Sequence, residues 1–428
     1  MDMRAERDMG PEIVELFPEG TTVEPGRGLT VGGVALAEVA DVYATPVYVV
    51  DEAGLRARIR RYQQALHAGW PNSQVVFASK SFPCVAAYRL MAETGLGVDV
   101  AGLGELAGAL RAGVDGRNLV LHGNAKTTAE IEMAVSAGVG LVVIDNFDDI
   151  DRLESTVTGR QDVLVRVLPE VRADTYDAVA TGQKGSKFGL PLDQVPKAIK
   201  RIRASSKLHL SGLHTHIGSQ ILDVEPFVAA VRALAGFGEF ETYDFGGGLG
   251  ARYTYDDHPP EPEEWIGALT DAARQYLPAE SRLLIEPGRS VVARSGVSLY
   301  RVVSVKRGDR VIVAVDGGMG DNLEVALYGQ RFEATVVDRV GGGEQVDLVG
   351  RHCESGDRLS TGVALQSPQV GDVIAIPVTG AYCYTMANNY NGALKAPVVF
   401  CADGKTREVV RRETLADFFA RDTSSRAG

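Results

Sequence analysis

Disulfide chemistry has almost no footing in this chain. It holds four cysteines, Cys84, Cys353, Cys383 and Cys401, and no two of them form a CxxC pair. Four unpaired thiols in 428 residues imply a reducing compartment, so the expected location is the cytoplasm. The seven histidines show no metal-ligand spacing, and no metal site is expected. Apolar runs stop well short of the roughly 18 residues needed to span a bilayer. The first residues, MDMRAERDMG, mix charges without an apolar core, unlike a secretory leader. Basic charge is in deficit: 44 Lys and Arg against 56 Asp and Glu leave a net charge of -12. That deficit argues against nucleic acid and anionic membrane surfaces as partners, since clustered Lys and Arg hold both. What remains is an ordinary globular composition, 45% hydrophobic and 23% charged, suited to a small-molecule substrate.

The chain is long enough for two or three domains, or for one large barrel with a domain attached. From Thr45 onward, apolar β-branched runs alternate with helical patterns. The runs Pro46–Val50, Val75–Ser79, Leu119–His122, Leu141–Asp145, Val163–Val167, Leu208–His216, Tyr243–Phe245 and Leu283–Glu286 predict strands. Glu52–His67, Gly104–Ala112, Thr128–Ala137 and Pro226–Gly236 predict helices between them. Such alternation implies parallel pairing through right-handed crossovers. About eight units over roughly 250 residues fit a closed (β/α)8 barrel, with an open doubly wound sheet as the alternative. Past Ser295 the segments SGVSLYRVVSVKR, DRVIVAVDGG, FEATVVDRV and GDVIAIPVTG predict strands joined by Gly and Asp turns. The expected architecture is therefore α/β plus β. Residues 1–44 contribute strands to a β-domain, 45–294 form the barrel, and 295–428 form the rest of the β-domain, ending in a short helix and a polar tail.

Barrel chemistry sits at the C-terminal ends of the strands. Lys80 closes the run VVFASK and could form a Schiff base, although a lysine capping a strand is commonplace. HTHIGSQ places His216 and Ser219 at the end of another strand, where an imidazole could stack on an aromatic ring or simply be a core histidine. FGGGLG offers Gly246, Gly247 and Gly248 in a row, which lets backbone N–H groups approach an anion closely. It lacks the spacing of a dinucleotide fingerprint and suits a single phosphate. IEPGRS ends a buried run on Glu286, and a buried carboxylate needs a partner; a protonated pyridine nitrogen is one, Arg289 another. HCESGD places Cys353, a possible acid, beside Glu354 in the β-domain. TGAYCYTMANNYNG adds Tyr382 among small residues. Each segment alone has an ordinary structural explanation. As an ordered set, a lysine, a histidine, a glycine turn and a buried carboxylate are the parts of a pyridoxal-phosphate site.

With FASK, GVDVAGLGEL, LHGNAKT, SKFGL, HTHIGSQ, FGGGLG, EPGRS, VDGGMGDN, ALYG, GRHCESGD and GAYCY in this order, the sequence resembles the fold-type III pyridoxal-phosphate decarboxylases from about residue 30 to 415. Within that family it is most similar to the branch that releases carbon dioxide from meso-2,6-diaminopimelate to give L-lysine. The resemblance implies pyridoxal 5'-phosphate as cofactor and a head-to-tail homodimer, with each active site shared between one chain's barrel and the other's β-domain. It gives Lys80 the covalent link to the cofactor, His216 the stacking position and Glu286 the ring nitrogen. Asp99 lies near the ring. Ser219, Gly246–Gly248, Gly288, Arg289 and Tyr382 match phosphate- or substrate-contacting positions. Cys353 matches the proton donor to the substrate carbon, and Glu354 and Tyr328 match substrate contacts.

One segment departs from the family. Where its pattern has an arginine shortly before ALYG, this chain reads DNLEVALYG and presents Glu324. Within the family that arginine helps to bind a substrate carboxylate. If Glu324 lined the pocket it would repel such a group, by roughly 4 kcal/mol at about 4 Å in a medium of effective dielectric about 20. Either another cation, such as Arg331, takes over and diaminopimelate remains the substrate, or the enzyme acts on a related amino acid. A relative that binds the cofactor without turnover is a third case, against which the retention of both Lys80 and Cys353 argues.

Overall fold

The computed structural model describes residues 12–171, 182 and 185–424, and the chain divides into two compact units. The leaderless start and the polar end expected at residues 1–11 and 425–428 lie outside the described residues.

One unit comprises Arg56–Ala251 and His258–Val291. Its eight strands, Ser73–Ala78, Gly97–Val100, Leu119–Leu121, Leu141–Ile144, Gln161–Arg166, Leu208–His214, Thr242–Asp244 and Arg282–Ile285, are all parallel and close into a barrel. Closure pairs the last strand with the first, Leu283 beside Ser73 and Ile285 beside Val75. Val76, Val120, Leu141, Val143, Leu164 and Leu284 form a buried cluster, as expected where branched side chains fill a barrel interior in layers. The helices between the strands follow sequence rules closely. Val195–Arg203 buries Val195, Ala198, Ile199 and Ile202, one face at helical spacing, and carries Lys200, Arg201 and Arg203 in its last turn, where the helix dipole favours cations. Thr128–Ser136 begins with a capping box between Thr127 and Glu130.

The other unit holds the described residues up to Leu55, Arg252–Asp257, and those from Val292 onward. Its main sheet runs in the order Arg358–Leu365, Glu344–Val349, Val311–Val315, Gly296–Arg307, Val47–Asp51, Val398–Ala402, Lys405–Val410, with Val373–Pro377 also paired to Gly296–Arg307. The N-terminal strands Thr22–Glu24, Gly28–Val31 and Val34–Ala35 form a small sheet, and Leu29 donates its N–H to the Val337 carbonyl at 2.9 Å. Phe17, Leu29, Val31, Val297, Leu299 and Val399 share one buried cluster, so the N-terminal segment belongs to this unit's core.

One predicted strand is misplaced. Pro46–Val50 is not a barrel stave; Val47–Asp51 lies between Gly296–Arg307 and Val398–Ala402 in the second unit's sheet. All five of its residues are buried, so nothing in their alternation distinguishes a sheet centre from a barrel. The eighth stave is Gly97–Val100, a four-residue run whose Asp interrupts the apolar pattern. Among the described residues no helix is long and apolar enough to cross a membrane.

Candidate active site

Every barrel strand delivers a titratable side chain at or just past its C-terminal end: Lys80, Asp99, His122, Asp145, Arg166, His214, Asp244 and Glu286. Three of these, Lys80, Asp99 and Glu286, were singled out from sequence. Of the other five, His122 and Asp145 end predicted strands and the same rule would have selected them, whereas Arg166, His214 and Asp244 lie inside the predicted runs, which extend past the observed strand ends.

Lys80 follows the strand Ser73–Ala78 in a single 3-10 turn and is exposed at the barrel mouth. The turn is tied down beside it, since the Ser79 N–H donates to Asp99 Oδ1 at 2.9 Å. Burial pushes the Asp99 carboxyl up, and the Glu286 charge adds to this, to about 7 against the opposing pull of His122 and Lys80.

Glu286 is 4% exposed. Its Oε1 accepts from His122 Nε2 at 2.6 Å and its Oε2 from His214 Nε2 at 3.3 Å. Burial alone would raise its carboxyl. The two imidazoles outweigh that and hold it well below the usual carboxylate range. Burial in turn lowers His214 to about 4, so this ring is neutral. Asp244 accepts the Gly246 N–H at 2.9 Å, and burial beside Glu286 holds its carboxyl well above its ordinary value. Folding thus brings together three groups, His122, His214 and Glu286, whose possible ligand atoms lie within 4.8 Å of one another, a grouping that sequence spacing does not reveal. Here the imidazole N–H groups and the carboxylate satisfy one another.

The glycine turn follows the strand Thr242–Asp244. Gly246 has φ +63°, and a Cβ on Gly247 would stand 2.1 Å from the Glu286 carbonyl oxygen, so this backbone passes where no side chain fits. The Gly247 N–H donates to His216 Nδ1 at 3.2 Å, which puts the proton of that ring on Nε2. Burial, with Lys80 next, holds His216 well below its ordinary value and hence neutral. Arg289 Nε donates to Ser219 Oγ at 3.1 Å. The predicted stacking histidine and glycine turn are thus bonded to each other, and so are the predicted serine and arginine. Arg166, buried at the end of its strand, lies 3.6 Å from Asp145 and has its guanidinium 4.5 Å from the centre of the Phe188 ring of the SKFGL segment.

The remaining predicted residues belong to the other unit. Cys353 and Glu354 are exposed on a loop fastened by Asp357, whose two carboxylate oxygens accept the N–H groups of Met319 at 2.6 Å and His352 at 2.7 Å. The Cys353 N–H donates to Asn391 Oδ1 at 2.8 Å, and the Tyr390 hydroxyl to Glu354 at 3.4 Å. Tyr382 is half-buried with φ +60°, just before the short helix Cys383–Met386. Tyr328 is half-buried at the end of Glu324–Tyr328. Glu324 itself is 1% exposed, and the Tyr253 hydroxyl donates to its Oε2 at 3.5 Å. Its carboxylate is thus buried and meets a phenol of its own unit. Arg331 pairs at the surface with Asp256 at 3.4 Å.

The barrel mouth fits pyridoxal phosphate. An exposed lysine can bind the aldehyde, a buried ionised carboxylate can face a protonated ring nitrogen, and the glycine turn, whose Gly246 and Gly247 N–H groups are given to Asp244 and His216, leaves the Gly248 N–H with Ser219 and Arg289 to hold a phosphate.

The family described as "Pyridoxal-dependent decarboxylase, pyridoxal binding domain" matches residues 52–293. The chain is 44% identical over 424 residues to a diaminopimelate decarboxylase of Actinosynnema pretiosum subsp. auranticum, covering 95% of each. It is 40% identical over 436 residues to that of Bacillus subtilis (strain 168), covering 96% of this chain and 99% of the relative. Among solved structures, a diaminopimelate decarboxylase from M. jannaschii in co-complex with L-lysine superposes with a TM-score of 0.89 at 30% identity, over 95% of this chain and 98% of that one. One from Helicobacter pylori, also complexed with L-lysine, gives 0.86 at 28% identity, over 91% and 99%.

Proposed function

The chain belongs to the diaminopimelate decarboxylases of the pyridoxal-dependent decarboxylase family, and on that premise we propose how its residues divide the work. The reaction is decarboxylation of meso-2,6-diaminopimelate to L-lysine and carbon dioxide, with pyridoxal 5'-phosphate as cofactor. The observation that carries this reading is Glu286, a buried carboxylate kept ionised by two imidazoles at the same barrel mouth as Lys80 and the glycine turn.

When bound, pyridoxal phosphate would supply an electron sink for loss of the α-carboxylate. The residues of the chain do the rest. Lys80 would hold the cofactor through its side-chain amine. Glu286 holds a proton on the ring nitrogen. His216, neutral and oriented by the Gly247 N–H, supports the ring face, and Asp99 borders the ring. Gly246–Gly248, Ser219, Gly288, Arg289 and Tyr382 hold the phosphate. Cys353 returns a proton to the substrate carbon. Glu354, Tyr328, Arg289 and Tyr382 hold the substrate.

Cys353 and Glu354 stand exposed, which supports a homodimer in which a second copy supplies them to the barrel. Four cysteines with no disulfide between them suit the cytoplasm.

Glu324 favours a second reading, in which the substrate is a related amino acid with an ammonium or guanidinium where diaminopimelate has its distal carboxylate. Its enclosure against Tyr253 speaks for the first reading. The test is carbon dioxide release by the purified protein from meso-diaminopimelate, lysine, ornithine and arginine. The first reading expects turnover of diaminopimelate well above the others. Release from another of these amino acids, with none from diaminopimelate, would overturn it.

A further inference from the structure

Three carboxyl groups converge on the barrel mouth, Asp99, Asp244 and Glu286, carried by three different strand ends. They do not share the available hydrogen bonds evenly. Asp99 takes the Ser79 N–H and Asp244 the Gly246 N–H, both from the backbone. Glu286 alone takes two imidazoles, one on each oxygen: His122 Nε2 at 2.6 Å and His214 Nε2 at 3.3 Å. With both oxygens engaged, the carboxylate cannot rotate about its terminal bond without losing a partner. The backbone behind it is also fixed, since the Glu286 N–H donates to the Gly246 carbonyl at 2.7 Å, directly within the glycine turn.

The tautomer of His214 follows from its surroundings. Its Nδ1 is buried with no hydrogen-bond partner among the described residues, and a buried orphan N–H costs more than a lone pair. The single proton of this neutral ring therefore sits on Nε2, pointing at Glu286. The two rings pack edge to face, with centroids 4.9 Å apart at 65°. Each thereby limits the rotation of the other.

We propose that His122 and His214 are positioning residues for the reaction, a two-imidazole clamp that selects Glu286 as the anion of the barrel mouth and so sets the proton on the ring nitrogen of the bound cofactor. The inference rests on the reading that Glu286 faces that nitrogen. The charge distribution agrees. Burial and the neighbouring Glu286 charge push Asp99 and Asp244 up, whereas the imidazoles hold Glu286 down. Arg166 feels the charges of all three carboxyls, whereas Lys80 acts on Asp99. Each carboxylate oxygen has more than one lone pair, so Glu286 can serve both imidazoles and a ring N–H. Without the clamp, burial would move the negative charge off Glu286, and the ring nitrogen would lose its proton.

The test uses the holoenzyme loaded with cofactor labelled with 15N at the ring nitrogen, whose chemical shift reports protonation directly. His122→Leu and His214→Leu are expected to move that resonance toward the unprotonated position and to speed cofactor release about tenfold, the order of one charge-assisted hydrogen bond. His122→Gln, which keeps an N–H within reach, is expected to retain the wild-type shift. Should a leucine variant not fold, His122→Asn, whose amide is too short to reach, answers the same question. Folded leucine or asparagine variants with the wild-type resonance and release rate would overturn the clamp while Glu286→Gln still moves the resonance. If Glu286→Gln leaves it unmoved as well, the assignment of Glu286 to the ring nitrogen fails and takes the clamp with it.

Discussion

Glu324 shows how little a substitution in sequence says about where its charge goes. An acid in place of a substrate-binding arginine suggests a reversed pocket, yet the side chain is enclosed and meets the Tyr253 hydroxyl. Glu324→Arg would therefore bury a cation beside a phenol. The expected result is a loss of roughly 3 kcal/mol in urea unfolding, with no gain in kcat/KM for diaminopimelate. A gain in kcat/KM would show the residue to face substrate. Asp99 gives a prediction in pH. Its carboxyl is raised from an ordinary 3.8 to about 7, so the folded chain binds that proton more tightly than the unfolded one. Its contribution to stability is then fully present below about 4 and is lost as the pH rises through about 7. Asp99→Asn, followed by denaturant melts of the cofactor-free protein, should flatten the fall in stability across that window. At this scale the sequence revealed residue types and hid partners. Lys80, His216 and Glu286 each stood at a legible strand end, whereas the union of His122, His214 and Glu286 needed three strands, 92 and 72 residues apart, to be laid side by side.

Among the elements, the barrel was legible because helical and strand periodicities alternate, and one stave was not. Val47–Asp51 is buried throughout, and a uniformly apolar run carries no sign of which sheet receives it. Gly97–Val100 went unrecognised as a strand for the opposite reason: it is short, and its Asp99 serves the site at the expense of the pattern. The turn after Thr242–Asp244 is more constrained. Gly247→Ala would press a methyl against the Glu286 carbonyl, which belongs to a barrel strand's exit and cannot yield. A loss of about 1–3 kcal/mol is expected in thermal or urea melts, together with weaker cofactor retention on gel filtration. The Asp357 carboxylate fastens the loop His352–Asp357 at two backbone groups. Asp357→Ala strips the partners from the Met319 and His352 N–H groups, at a cost of about 1–3 kcal/mol each if they stay buried. Because that loop carries Cys353 and Glu354, kcat should fall while cofactor absorbance is unchanged; an unaltered kcat would detach the loop from the chemistry.

For the whole molecule, the decisive prediction concerns which chain supplies which residue. Lys80→Ala and Cys353→Ala should each be inactive alone. Mixed and allowed to exchange, half of the dimers pair unlike chains, and each of those holds one intact site, so about a quarter of wild-type activity should return. No recovery under conditions where exchange is shown by mass would mean that Lys80 and Cys353 act within one chain. A net charge of -12 gives every copy the same sign, so the proposed dimer would have to rest on local fit rather than on opposite fields. The distribution of thiols bears on this directly. Cys84, Cys383 and Cys401 are buried, and Cys353 is the exposed one. If a partner covers Cys353 in the proposed dimer, a chain apart from it offers this thiol to every oxidant and electrophile in solution. Dilution should then inactivate this enzyme along two branches, one reversible by reconcentration and one only by a reductant, and a maleimide dye would count the unpaired chains one thiol at a time.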